Sequence, residues 1–300
     1  MVALALGAAC ALFPAVAPGQ LINADLQKRA NGVLALMGYM QTPDVTTGSL
    51  GITNDATGNP DFAMTTLGGG FTGKGSPLYL EGTLGYARYD PTFIAASGQV
   101  SVAANWDAYS ASGGVGWDFP VARDLVLRPI FNASYGRVES KVSATQTGAG
   151  EELEFLRNGR LDTYGLGGSL MLDYERYRPE GEIDVELRYT NIYLQSFGGS
   201  SAAVKGSADS QSISLWSRWR APTGITMLER PLRYVLEYAH TTFLGDLDGV
   251  LGFNYLNSFG AGLELDSSAR DTPVTRTRLM ARYKVGEHVT GWSIGLAVSF

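Results

Sequence analysis

The sequence predicts an all-β fold, a transmembrane antiparallel β-barrel of about twelve strands, and three observations support this prediction. Apolar and polar residues alternate over segments as long as tilted membrane strands, which need about 9–11 residues. After residue 20, no segment is both apolar and long enough to form a membrane helix. The chain also ends with an alternating segment whose last residue is Phe300. Strands are therefore the elements that we expect to cross the membrane.

The N-terminal part of the chain divides into two segments. An uncharged apolar run leads to Ala15-Val16-Ala17, which is typical of a signal-peptide cleavage site, so we predict a signal peptide over residues 1–19. Residues 20–44 lack alternation, and Leu26, Ala30, Val33, Leu34 and Met37 recur at helical spacing. This segment is predicted to form a short helix or linker, with the helix inside the barrel lumen. The barrel itself is predicted over residues 45–300.

Composition excludes several classes of function. The 23 basic and 29 acidic residues give a formal charge of −6, which argues against a nucleic-acid partner, because phosphate binding needs a basic surface. The single cysteine, Cys10, falls in the predicted signal peptide, so neither disulfides nor cysteine metal sites are expected. With 2 histidines, a site with several histidine ligands is also excluded. We expect no metal and no cofactor.

The strands can be assigned from the alternation and the turn residues between them. They are predicted over 45–53, 61–72, 77–89, 105–118, 125–138, 161–174, 182–194, 210–220, 232–243, 252–265, 274–285 and 290–300. An even count suits a closed bacterial barrel, which has no exposed strand edges. If the first strand runs outward, the three longest connections, 90–104, 139–160 and 195–209, all lie outside the cell. Long external loops and short periplasmic turns are typical of such barrels.

The segment 182–194 shows the alternation most clearly. One face carries Ile183, Val185, Leu187 and Tyr189, and the other carries Asp184, Glu186, Arg188 and Thr190. A soluble β-sandwich or lipocalin-like barrel also has alternating strands, but its strands average about 5–6 residues and its inner face is apolar. In this chain, one face of the strands is consistently apolar and aromatic, and the other face is charged. This pattern favours lipid outside the barrel and a wet lumen inside.

The charged face supplies the candidate functional residues. We expect the following side chains to face the lumen: Arg276, Arg278, Arg282, Lys284, Asp184, Glu186, Arg188, Glu237 and Glu264. In an open pore, opposed rows of charge tune ion selectivity, so small solutes or ions would pass. In a plugged barrel, the same charges pair with each other and with the helix. Both interpretations stay open at the level of sequence.

The last strand carries a short motif. Gly295, Val298 and Phe300 have the spacing of a terminal signal that resembles the one recognised by the bacterial barrel-assembly machinery. Together with the short helix, the segment 43–50 and the twelve predicted strands, this motif resembles the autotransporter β-domain in its solitary, passenger-less form. The resemblance implies the outer membrane of a Gram-negative cell, with membrane lipid and the assembly machinery as partners.

Two functions are expected from this resemblance and from the residues. The first is a narrow, porin-like channel or a structural barrel that has no catalytic residues. The alternative is an outer-membrane hydrolase, similar to barrel proteases or lipases, with its site in the external loops around His240 and Asp246. A histidine beside an aspartate can activate a water molecule. The simpler explanation of His240 is a polar residue at the membrane interface.

Overall fold

A computed structural model gives the structure of the chain. It describes residues 34, 37–38, 40, 47–54, 62–73, 75–89, 92–95, 100–142, 159–200, 205–249, 253–268, 274–287 and 289–299. The strands are β1 (Thr47–Asn54), β2 (Phe62–Thr72), β3 (Leu78–Tyr89), β4 (Thr92–Ala95), β5 (Val100–Trp117), β6 (Phe119–Ala122), β7 (Leu125–Val142), β8 (Arg160–Arg178), β9 (Gly181–Phe197), β10 (Ser207–Met227), β11 (Arg230–Gly245), β12 (Tyr255–Asp266), β13 (Arg276–Gly286) and β14 (Val289–Ser299). The predicted signal peptide, residues 1–19, lies outside the described residues, as does most of the segment 20–44.

Twelve of these strands form a closed antiparallel ring. Each pairs with its neighbours along the chain, β5 pairs directly with β7, and β1 pairs with β14 to close the ring. The short strands β4 and β6 pair only with β5 and β7 and extend the ring at its two ends. Every predicted strand is therefore present, and the predicted all-β barrel of twelve strands is confirmed. Closure leaves no free edge along the ring, and so removes a site of aggregation.

The two faces of the sheet differ as the alternation predicts. On β9, Ile183 and Leu187 are 38% and 44% exposed, whereas Asp184 and Arg188 on the other face are 2% and 4% exposed. The exposed face of the ring is apolar and aromatic, and the buried face holds the charges. An apolar exterior suits hydrocarbon, because lipid tails cannot hydrogen-bond a polar side chain. No helix in the described part of the chain has the length and hydropathy needed to cross a bilayer.

The connections at the two ends of the ring differ in length. At one end, two-residue turns join β8 to β9 and β10 to β11, and the longest connection is 267–275. The opposite end has 143–159 and 198–206, together with one two-residue turn, 287–288. Leu228 and Glu229 form one of the short turns with φ of 52° and 59°, the left-handed values of a type I′ hairpin. The sequence suggested a long connection over 221–231 instead. Strand β10 continues through that segment because a bulge accommodates Pro222 and Gly224.

A row of mostly small residues crosses nine of the twelve strands of the ring on the inner face. Its members, each directly opposite the next, are Gly262, Met280, Gly295, Gly48, Thr66, Gly85, Ser110, Gly136 and Thr163. The glycines place bare backbone on the lumen wall, where another segment can approach closely. We call this set the glycine row.

Four described residues of the segment 20–44 are helical and buried: Leu34, Met37, Gly38 and Met40. A side chain at Gly85 on β3 would lie 3.1 Å from Met40 Cε, and one at Gly136 on β7 would overlap Met37. A side chain at Gly38 would lie 2.6 Å from Ser210 Oγ on β10. Strands β3 and β10 stand nearly opposite each other in the ring, so these residues lie across the lumen.

Candidate functional site

The candidate site is the charged inner face of the barrel. All nine predicted lumen residues lie on the inner face of four strands, and Lys284 lies near the end of β13 that is farther from the short turns. Strand β9 carries Asp184, Glu186 and Arg188, β11 carries Glu237, β12 carries Glu264, and β13 carries Arg276, Arg278, Arg282 and Lys284. The strict alternation of strand side chains explains this placement, because residues two apart share a face.

Two ion pairs connect the strands β11, β12 and β13 and neutralise the buried charges that these strands carry. Arg278 Nη2 lies 2.7 Å from Glu264 Oε2, directly across the β12–β13 pairing. Arg282 Nη2 lies 2.7 Å from Glu237 Oε2, although these residues belong to strands that are not adjacent. All four side chains are at least nine-tenths buried. Buried charges of this kind are stable only when paired.

Strand β9 pairs its carboxylates with the guanidinium groups of β10. Asp184 Oδ2 accepts hydrogen bonds from Arg218 Nε at 2.8 Å and from Arg220 Nη2 at 3.0 Å. Arg220 Nη1 also approaches Glu264 Oε2 at 3.6 Å. Arg220 of β10 therefore connects the carboxylate of Asp184 on β9 to that of Glu264 on β12.

One ion pair joins β9 to β3, four positions away in the ring. Arg188 Nη1 and Nη2 donate to Glu81 Oε2 and Oε1 at 2.8 and 2.7 Å, a bidentate contact. Asn132 of β7 donates to Glu81 Oε1 at 2.6 Å, and Arg188 Nε donates to Thr190 at 3.0 Å. These bonds fix both partners, so the pair forms a rigid tie across the lumen.

A second tie runs from β9 to β13, four positions away in the other direction. Glu182 Oε2 accepts from Arg276 Nη1 at 2.8 Å. Arg233 of β11 binds the same carboxylate at Oε1 and reaches Asp266 Oδ2 at 2.8 Å. We call the Glu81–Arg188 and Glu182–Arg276 contacts the two lumen ties.

Glu186 has a different environment. It lies directly opposite Asp173 on β8, so two carboxylates face each other on the inner wall. Like charges in directly opposed positions repel. Arg128 Nη1 of β7 compensates by binding Asp173 Oδ2 at 2.9 Å.

Several partners in this network were absent from the sequence prediction: Glu81, Arg128, Asp173, Glu182, Arg218, Arg220, Arg233 and Asp266. The sequence did contain information on these residues, because each lies an even number of positions from an inward-facing residue of its own strand and therefore shares its face. Glu182 precedes Asp184 by two positions, and Arg218 and Arg220 are two apart. Parity identifies the face of a residue, but the choice of partner across the lumen depends on the closed ring.

The hydrolase alternative depended on His240 and Asp246, and the structure does not bring them together. His240 is on the outer face of β11, where Nδ1 lies 2.9 Å from Asn257 Oδ1 and Nε2 lies 3.0 Å from Thr242 Oγ1. Asp246 Oδ2 instead accepts a hydrogen bond from the backbone of Asp209 at 2.8 Å. In the described residues, no group of three His, Cys, Asp or Glu side chains could hold a metal ion.

The predicted assembly motif is described only in part. Gly295 belongs to the glycine row, between Met280 and Gly48, so its lack of a side chain also suits the lumen wall. Val298 is within β14, where only its backbone is described, and Phe300 lies outside the described residues.

Comparison with known proteins gave a family match over part of the chain and a fold. Residues 23–160 match the family model described as the autotransporter beta-domain. The comparison with curated proteins found no match.

Among solved structures, the chain is similar to the beta domain of the Bordetella autotransporter BrkA. The identity is 14% and the TM-score 0.51, with 85% of this chain and 97% of that chain covered. The translocator domain of the autotransporter NalP from Neisseria meningitidis has 15% identity and a TM-score of 0.49, with 94% and 98% covered. The KdgM porin has 11% identity and a TM-score of 0.40, with 85% and 99% covered.

The family match and the fold agree with the closed ring, its apolar exterior and its charged lumen. They indicate the bacterial outer membrane as the location of the barrel. The chain therefore has the fold of an autotransporter β-domain, and its residues 23–160 resemble that family in sequence.

Proposed function

We propose that the chain works as a passive outer-membrane barrel whose lumen is closed, and which holds its long connections at the outer surface without any catalytic step. The observation that carries the proposal is the pair of lumen ties. They connect β9 to β3 and to β13, so side chains cross the interior in two directions. A conducting pore needs solvated charges along a continuous path, whereas paired charges leave neither sign free to attract an ion.

The described residues of the N-terminal segment support the same proposal. Gly38 and Met40 lie against opposite sides of the ring, on β10 and β3. Ion pairs thus obstruct the half nearer the turns, and apolar residues of the N-terminal segment occupy the lumen beyond them.

The test is single-channel conductance of the refolded protein in a planar bilayer. We expect the wild type to stay closed and a variant lacking residues 21–44 to conduct more. Opening the tie with Glu81→Gln and Arg188→Gln in the same truncated chain should raise conductance further. The matched control is Glu139→Gln with Arg160→Gln, a directly opposed pair on the outer face. Heat-modifiable gel migration checks that each variant folds.

A wild type that conducts steadily would overturn the closed barrel. If its selectivity between anions and cations also changed with Arg278→Glu, the channel interpretation would replace it. The hydrolase alternative has a separate test, since His240→Ala and Asp246→Ala would abolish any hydrolysis of lipid or peptide substrates that depended on these residues.

A further inference from the structure

Two methionines of the N-terminal segment pack tightly against the lumen wall. Met37 and Met40 are helical, and both side chains are 0% exposed. A side chain at Gly136 on β7 would overlap Met37 Cε and lie 3.2 Å from Met37 Sδ. A side chain at Gly85 on β3 would lie 3.1 Å from Met40 Cε. Both methionines therefore end against bare backbone of the glycine row, and we call these two residues the methionine pair.

The other side of the same segment leaves little space into which the pair could shift. Gly38 lies between the two methionines in the sequence. A side chain at Gly38 would lie 2.6 Å from Ser210 Oγ on β10 and 2.8 Å from Leu247 Cδ2, in the connection after β11. Leu247 is itself only 4% exposed. The segment is thus held between β3 and β7 on one side and β10 on the other, so an atom added to either methionine has to displace it.

The surroundings of Met37 are also unsuited to a new polar atom. The Thr163 hydroxyl lies 3.1 Å from the point that a side chain at Gly136 would occupy, and it already donates to the Gly136 carbonyl at 3.4 Å. A polar atom that is buried without a hydrogen-bond donor loses its bonds to water and raises the free energy of the packed state. A sulfoxide oxygen on Met37 therefore favours displacement of the segment.

We propose that the methionine pair is an oxidation site that regulates the closed lumen, because hydrogen peroxide converts its thioethers to sulfoxides and the helix then leaves the glycine row. In this reaction the O–O bond of peroxide breaks, one oxygen forms a bond to sulfur, and the other oxygen leaves as water. The sulfur is oxidised by two electrons and the peroxide is reduced. The inference rests on the proposed closed lumen, since oxidation can open only a lumen that this segment obstructs.

Burial makes the reaction slow and its product lasting. Met227 on β10 is 47% exposed, whereas both members of the methionine pair are 0% exposed. Peroxide therefore oxidises Met227 first and reaches the pair only during transient displacement of the helix. A sulfoxide formed at that moment prevents the helix from packing again. The open state then persists until a methionine sulfoxide reductase removes the oxygen.

The test is planar-bilayer conductance of the refolded full chain before and after treatment with hydrogen peroxide. Peptide mass spectrometry measures the sulfoxide content of each methionine in the same samples. We expect conductance to rise several-fold as Met37 and Met40 become oxidised, toward that of the variant lacking residues 21–44. Treatment with methionine sulfoxide reductases and their reductant should restore the closed state.

Two variants assign the response to the methionine pair. Met37→Leu with Met40→Leu nearly keeps the side-chain volumes but removes both sulfurs, so conductance should stay low before and after peroxide. This variant retains the other lumen methionines and so controls for their oxidation: Met64, Met171 and Met280. Met227→Leu is the matched control, because it removes an exposed methionine, and its response should equal that of the wild type. Heat-modifiable gel migration checks that both variants fold.

Three results would overturn the oxidation site and leave the closed barrel intact. The first is a wild type that stays closed although both sulfoxides are present. The second is a methionine pair that stays reduced after complete oxidation of Met227, and the third is a response that persists in the leucine variant of the pair. A wild type that conducts before peroxide is added would instead contradict the closed barrel, and this inference with it.

Discussion

Glu237 and Arg282 meet across a residue that has no side chain. Both lie directly opposite Gly260 on the intervening strand β12, and Arg282 Nε and Nη2 both donate to Glu237 Oε2, at 2.9 and 2.7 Å. A side chain at Gly260 would lie 3.2 Å from Glu237 Cβ and from Arg282 Cγ. The glycine is what lets an ion pair span two strand spacings.

Replacing one partner of this pair should destabilise the barrel strongly. Arg282→Met leaves Glu237 buried without a counter-charge, which we expect to cost about 3–5 kcal/mol of unfolding free energy. Arg282→Met with Glu237→Leu removes both charges and should recover most of that loss. Urea unfolding in detergent, followed by tryptophan fluorescence, measures the double-mutant cycle. Additive single effects would show that the two residues do not interact.

The glycine row should be required for Met37 to pack against the inner face of β7. A valine at Gly136 would overlap the Met37 side chain and force it away from β7. We expect Gly136→Val to speed the oxidation of Met37 by hydrogen peroxide several-fold, because the thioether becomes accessible. Gly113→Val is the control, since its side chain would point outward with its nearest neighbour 3.9 Å away. Mass spectrometry of peptides containing Met37 gives the rates, and equal rates in both variants would contradict this prediction.

The turn at Leu228 and Glu229 should accept a more stable sequence. Both residues have positive φ, which costs side-chain-bearing residues about 1 kcal/mol or more each, whereas asparagine and glycine tolerate it. Leu228→Asn with Glu229→Gly should therefore stabilise the barrel by about 1 kcal/mol. Gly224→Ala, at a φ of 78°, should have the opposite effect. A lower unfolding midpoint for the Asn-Gly variant would rule out the assigned turn.

Asp118, between β5 and β6, should make stability depend on pH. Burial by itself raises the pKa of Asp118, but hydrogen bonds from Arg128 and Thr72 outweigh it and hold the pKa below its ordinary 3.8. A depressed pKa in the folded state stabilises the fold above the unfolded-state value, and this stabilisation is lost as pH falls through the folded-state value. The stability difference between wild type and Asp118→Asn should therefore be constant near neutral pH and shrink below about pH 4. Asp124→Asn, in the exposed turn nearby, is the control. A difference that widens in acid would refute the assignment.

Much of this barrel could be predicted from the sequence because strand alternation is a local property. It identified the twelve strands and separated the apolar face of each strand from the polar one. Contacts such as Glu81 with Arg188 were not predictable in the same way, because they depend on which strands face each other after closure. Strand β10 was predicted too short because Pro222 and Gly224 commonly end strands, while the bulge that accommodates them is visible only in the paired sheet.

The lumen ties also have a consequence for how the barrel forms. Arg188 and Glu81 are 107 positions apart in the chain, and Arg276 and Glu182 are 94 apart. Neither contact can exist in a flat or partly curled sheet, so both must be made late, after most of the chain has paired. Until then, β9 carries charges of both signs that lack their distant partners, which penalises any incomplete assembly held in lipid. The charged interior thus lowers the free energy of the closed barrel relative to that of any partly assembled sheet.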